Sequence, residues 1–90
     1  MSVAIVGQGY VGLPLAIACA DVGFNVIGID VDAHRVAELN LGKSHIEDIP
    51  SALLINHVSA GKYSASNDFS KAAQAEIVII AVPTPLDAKR

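Results

Sequence analysis

The sequence has little charge, a single cysteine and no long unbroken apolar run, and each shortage closes off a class of protein. Cys19 stands alone, so no internal disulfide can form, which agrees with a reducing compartment. Only 17% of the 90 residues are charged, and the basic ones are Arg35, Lys43, Lys62 and Lys71, scattered singly, and the pair Lys89 and Arg90. At a net charge of -3 no basic stripe can follow a phosphate backbone, so nucleic acid is not an expected partner. The first apolar stretch is too short and too broken by glycine to span a bilayer, and it lacks the charged start and cleavage site of a secretory leader. No membrane partner is expected, and the chain is assigned to the cytoplasm. His34, His45 and His57 show no metal-ligand spacing and no matched acid, which assigns them to the surface or to caps and leaves no expected metal site. Linkers and repeats are also missing, and the length corresponds to one small domain or a piece of a larger one.

What is present is apolar. Hydrophobic residues make up 52% of the chain, rich for a fold with so much surface. Val3 to Val6 is a continuous apolar run ending at Gly7, the pattern of a strand buried on both faces in a parallel sheet. From Tyr10 or Val11 the apolar residues recur at helical spacing up to a stop at Gly23, and Pro14 fits only within the first turn, where amide donors have no internal partner to lose. Asn25 to Ile29 reads as a second strand closed by Asp30, and Asp32 as the N-cap of a helix reaching Gly42. Lys43 to Pro50 reads as loop, Ser51 as the cap of a short helix ending near Gly61, Tyr63 to Ser66 as an edge strand and Asp68 to Ala75 as another short helix. Glu76 to Val82 reads as a central strand stopped by Pro83.

Strands alternating with helices predict an α/β fold, a Rossmann-like parallel sheet of about four strands in the order 3-2-1-4 with helices on both faces. The last strand would have one bare edge and the first helix an uncovered outer face, so the sheet is expected to be incomplete and the chain to self-associate as a homo-oligomer.

Gly7, Gly9 and Gly12 form G-x-G-x-x-G between the first strand and the first helix. In a dinucleotide fingerprint the first glycine turns the chain out of the strand, the second lets a pyrophosphate approach the backbone, and the third lets the helix pack on the sheet. Amides at the helix start, Tyr10 and Val11 among them, then face the phosphates with the helix dipole behind them. Asp30 follows Gly12 by 18 residues, where the Rossmann pattern places a carboxylate that accepts from the adenosine ribose. A 2'-phosphate there would meet a like charge, which favours NAD over NADP. As a competing assignment Asp30 is a turn residue, and Arg35, one turn into the next helix, braces the ribose, lies in solvent, or suits the 2'-phosphate of NADP. Cys19, mid-helix on the apolar side, reads as packing rather than as a nucleophile, and no catalytic constellation can be assembled.

The segments GQGYVGLPLA, VIGIDVDAHRVAELNLGKSHIEDIP, DFS and IVIIAVPTPL resemble the N-terminal NAD-binding domain of the UDP-glucose/GDP-mannose dehydrogenases, the nucleotide-sugar 6-dehydrogenases. The pairing of GKSHIEDIP with VPTPL is similar to the branch oxidising UDP-N-acetylhexosamines, UDP-N-acetyl-D-glucosamine 6-dehydrogenases among them. The resemblance implies a parent enzyme that oxidises the sugar's C6 alcohol to a carboxylate with two NAD, capturing the intermediate aldehyde on a cysteine. It also implies cofactor contacts at Val11, Asp30, Arg35 and Thr84. By the same resemblance the catalytic cysteine, its assisting lysine and asparagine, and the sugar-binding domain lie beyond residue 90. Residues 1–90 are therefore expected to be the N-terminal part of a Rossmann domain, inactive alone, with the UDP-sugar a partner only of the full-length enzyme. Two rivals share the glycine fingerprint and the acidic end of strand two: an NAD-sensing regulatory domain of a potassium uptake system, and the FAD-binding half of an oxidoreductase.

Overall fold

The computed structural model describes residues 1–47 and 49–81. Its elements run β1 (Ser2–Val6), α1 (Gly12–Asp21), β2 (Asn25–Ile29), α2 (Ala33–Asn40), α3 (Ser51–Ser59), β3 (Tyr63–Ser66), a 3-10 helix (Phe69–Gln74) and β4 (Ile77–Ile80). All pairings are parallel and the sheet order is β3-β2-β1-β4, as the alternation of strands and helices requires. The register places Val3 beside both Val26 and Ile77, and Val6 beside both Ile29 and Ile80, so β1 lies between two apolar neighbours.

Continuous apolar strands suit this position. Val3, Ala4, Ile5 and Val6 are all buried, and α1 presents Leu13, Ala16, Ile17 and Ala20 to the same core. Ile5, Leu13 and Leu54 lose essentially all contact with solvent, and each side chain of this kind contributes about 1.5–3 kcal/mol. Pro14 sits in the first turn of α1, where proline is tolerated. α1 and α3 touch each other, and the 3-10 helix packs against β1 and β2; the usual right-handed crossovers place the two groups on opposite faces of the sheet.

Local chemistry sets the element ends. Asp32 caps α2 by accepting from the Arg35 amide at 3.1 Å, which also holds its carboxyl below the usual carboxylate range. Ser51 is not the cap of α3. Pro50 occupies that position in extended conformation, and the Ser51 hydroxyl instead accepts from the Ser44 amide at 3.0 Å, pinning the loop that precedes the helix. The segment after Asp68 is a 3-10 rather than an α-helix, built from i to i+3 bonds such as Lys71 N–H to Asp68 C=O, with the Asp68 side chain accepting from the Ser70 amide.

β4 is less enclosed than its apolar sequence implies. Ile77, Val78 and Ile80 are exposed and only Ile79 is partly buried, because no strand among the described residues lies on its outer edge. Val82, expected in this strand, and Thr84 lie outside the described residues. Cys19 is half-buried against the core rather than enclosed by it. No helix among the described residues is long and apolar enough to cross a membrane.

Candidate functional site

The carboxyl ends of β1, β2 and β4 open onto a cleft of about 730 Å³, and residues 6–11, 29–31 and 80–81 line it. This is the point where the strand order reverses, between β1 and β4, and open parallel sheets bind ligands at such a crevice.

The glycine turn builds its floor. Gly7 has φ of +98°, a conformation that a side chain disfavours, and its N–H continues the ladder to the Ile29 carbonyl. A Cβ at Gly12 would overlap the Gly7 carbonyl oxygen, so the start of α1 rests directly on the turn. A Cβ at Gly9 would meet nothing within 4 Å: the space beside it belongs to the cleft. The geometry shows the tight turn expected at Gly7 and the close packing expected at Gly12, and leaves open space beside Gly9.

Val11 precedes α1 with helical backbone angles, and no side chain caps the helix. Helix starts left in this way present amide donors and the positive end of the dipole to an anion. Tyr10 and Val11 are exposed at the lip, so their side chains leave the backbone approachable from the cleft.

Asp30 is buried at the tip of β2 and does two jobs. Its Oδ2 accepts from the Gln8 amide at 2.9 Å and its Oδ1 from the Asp32 amide at 3.0 Å, which ties the glycine turn to the start of α2. An ionised carboxylate offers about four acceptor positions, so about two remain for hydroxyl donors. The turn and ribose assignments are therefore compatible. Arg35 comes from α2 to within 3.6 Å of Asp30 Oδ2, half-exposed at the cleft wall, rather than extending into solvent.

Two residues of the site escape sequence reasoning. Gln8, an unspecified position of the fingerprint, is fully buried and donates from Nε2 to the Ile5 and Gly7 carbonyls while its Oε1 accepts from the Tyr63 hydroxyl. No periodicity or spacing signals this, because Tyr63 is remote in sequence. His45, assigned to surface or cap, stands on the loop after α2 and lines the cleft beside Arg35. Partial burial, reinforced by the Arg35 guanidinium, holds its imidazole below the usual histidine range against the opposing pull of the Gln8 carbonyl, Asp30 and Asp32. The neutral ring therefore faces the cleft at neutral pH. His34 is exposed on α2, and His57 joins α3 to α1 through a 2.7 Å contact with Asp21. Among the described residues no cluster of three or more His, Cys, Asp or Glu could hold a metal.

The cleft fits a dinucleotide: a side-chain-free notch at Gly9, uncapped helix amides beside it, and a buried carboxylate one strand away.

Comparison with known proteins agrees. The profile of the UDP-glucose/GDP-mannose dehydrogenase family, NAD binding domain, matches residues 1–90. A UDP-glucose 6-dehydrogenase of Haloferax volcanii is 32% identical over 94% of this chain and 20% of its own length, and a UDP-N-acetyl-D-mannosamine dehydrogenase of Yersinia pestis is 37% identical over 93% and 20%. A ternary complex of GDP-mannose dehydrogenase from Pseudomonas aeruginosa superposes with a TM-score of 0.87 at 38% identity, covering 94% of this chain and 20% of that one. The UDP-N-acetyl-D-mannosamine dehydrogenase of Pyrococcus horikoshii gives the same TM-score at 34% identity, over 94% and 21%. The chain thus spans about a fifth of the length of the relatives it matches. Of the three readings that the glycine fingerprint opens, sensor, flavoprotein and dehydrogenase, the match selects the last: this chain belongs to the UDP-glucose/GDP-mannose dehydrogenase family, as its NAD-binding domain.

Proposed function

We propose that residues 1–90 supply the NAD site of a nucleotide-sugar 6-dehydrogenase acting on a UDP-N-acetylhexosamine, oxidising the C6 alcohol to a carboxylate with two NAD in succession. The observation that carries this is the junction of Gly9 and Asp30: an open notch for a diphosphate and a buried carboxylate with free acceptor positions, both at the carboxyl ends of adjacent strands. The family supports the cofactor, and the nucleotide-sugar names of its relatives support the substrate class. Within that class the N-acetylhexosamine rests on the pairing of GKSHIEDIP with VPTPL.

In this reading the bound NAD accepts hydride, and the chain's own residues bind and orient it. The amides around Gly9, Tyr10, Val11 and Gly12 hold the pyrophosphate, with Gly7 setting the turn. Asp30 accepts from the adenosine ribose hydroxyls, and Arg35 braces the same sugar while offsetting the carboxylate's charge. Thr84, outside the described residues, is assigned to the cofactor side of the turn after β4. Cys19 lies outside the cleft lining, so we assign these residues cofactor binding and place the sugar chemistry on the rest of the protein.

Titrating the chain with NAD and NADP, and repeating with Asp30→Ala, tests the site. NAD is expected to bind more tightly than NADP, and loss of charge-assisted bonds should cost the variant about tenfold or more in NAD affinity. Unchanged NAD affinity in Asp30→Ala would remove the ribose assignment. For the substrate, the full-length protein should reduce NAD with a UDP-N-acetylhexosamine faster than with UDP-glucose, followed by absorbance; the reverse order would move it to another branch of the family.

A further inference from the structure

Gln8 is fully buried although the backbone on either side of it lines an open cleft. We propose that Gln8 is a positioning residue for the dinucleotide, transmitting the placement of edge strand β3, through the Tyr63 hydroxyl, to the Gly7–Gln8 peptide that shapes the pyrophosphate turn. The inference rests on the cofactor site assigned above and adds to it a residue whose side chain is buried and bonded only to the chain's own groups.

Both ends of that peptide are clamped. The Gly7 carbonyl accepts from Gln8 Nε2 at 2.9 Å, and the Gln8 N–H donates to Asp30 Oδ2 at 2.9 Å. The side-chain amide that holds the carbonyl is itself held twice, by the Ile5 carbonyl at 3.0 Å and by the Tyr63 hydroxyl at 2.7 Å. Since a Cβ at Gly12 would overlap the Gly7 oxygen, that oxygen and the first residue of α1 are in contact. A shift of the carbonyl therefore displaces the amides that face the cleft.

The surroundings leave room for this arrangement and for little else. Gly28 sits mid-strand in β2, where glycine normally weakens a strand. An added Cβ there would come within 2.6 Å of both Gln8 Cδ and the Tyr63 hydroxyl oxygen, so the missing side chain makes space for the Gln8–Tyr63 pair. Burial pushes the Tyr63 phenol well above its usual range, which keeps the hydroxyl a donor at any physiological pH. Coupling between sites is reciprocal, so NAD binding should in turn steady β3.

The test compares NAD affinity, by calorimetry on folded protein, in the parent chain, Tyr63→Phe and Asn40→Ala. Asn40 also braces β3 but lies off the polar path, so Asn40→Ala controls for loosening of the strand alone. Tyr63→Phe is expected to weaken NAD binding about three- to tenfold and to abolish NAD-dependent slowing of hydrogen exchange in β3, while Asn40→Ala changes NAD affinity less than about twofold. Should Tyr63→Phe fail to fold, Gln8→Met, which keeps the length of the side chain but cannot donate to the Gly7 carbonyl, is expected to show the same loss. Parent-like affinity in Tyr63→Phe, or equal losses in Tyr63→Phe and Asn40→Ala, would overturn the positioning role and leave the cofactor site standing. Failure of the parent itself to bind NAD would instead bring down the cofactor assignment beneath it.

Discussion

The glycines at positions 9 and 12 look equivalent in a motif and are opposite in structure. A Cβ at Gly12 has no place to go, whereas one at Gly9 enters open space. Gly12→Ala should therefore cost at least about 1–3 kcal/mol of stability through overpacking against the turn, read as a lowered melting temperature. Gly9→Ala should melt with the parent and lose NAD affinity by about tenfold or more, because its methyl occupies the path of the diphosphate. A Gly9→Ala chain that binds NAD normally would show that the ligand does not approach there. Gly12 is legible in the sequence because the close packing there leaves no room for a side chain, and Gly9 because the motif's spacing marks it. Gln8 is not, since a buried amide is defined by its partners, and Tyr63 arrives from β3, beyond four intervening elements. His45 is hidden for a related reason: the loop after α2 folds back over the cleft, and nothing in its local composition says so.

Elements whose ends depend on a covalent or steric rule are the ones the sequence defines best. The apolar run before Gly7 yields β1, Asp32 yields the start of α2, and Pro14 confines the start of α1 to a few residues. Ser51 misleads because a hydroxyl at a helix start has several possible partners, and here the Ser44 amide takes it. Edge strand β3 shows another device invisible to pattern. The Asn40 side-chain amide at the end of α2 donates to the Ala65 carbonyl at 2.9 Å and accepts from the Ala65 N–H at 2.8 Å, so it pairs with the strand as a neighbouring backbone would. Exposed edges invite pairing with other chains, and a side chain that satisfies both groups of one residue blunts that tendency. Asn40→Ala should cost about 1–3 kcal/mol, measured by chemical denaturation, and should speed amide exchange at Ala65 more than elsewhere in the sheet. Stability unchanged within error would mean that solvent replaces both bonds at no cost.

At the scale of the molecule the two edges of the sheet are unlike. β3 is blunted by Asn40, while β4 leaves Ile77, Val78 and Ile80 exposed among the described residues. An apolar strand of this kind associates through its edge or face. The chain should accordingly sediment as a concentration-dependent mixture of monomer and larger species, and Val78→Lys should shift it toward monomer; a parent chain that stays monomeric at high concentration would show that this strand is satisfied by other means. The strand order was readable from the alternation of elements alone, because right-handed crossovers leave few ways to close a parallel sheet.

The central place of β1 also sets a timetable. Its backbone pairs with residues 25–29 on one side and 77–80 on the other, and the Ser2 amide and hydroxyl exchange hydrogen bonds with Glu76. β1 precedes both of its partner strands in the chain, so its pairing is among the last to be completed. During synthesis it must wait, half-paired, until residues 77–80 have emerged, and sequence-distant parallel pairing of that kind folds slowly.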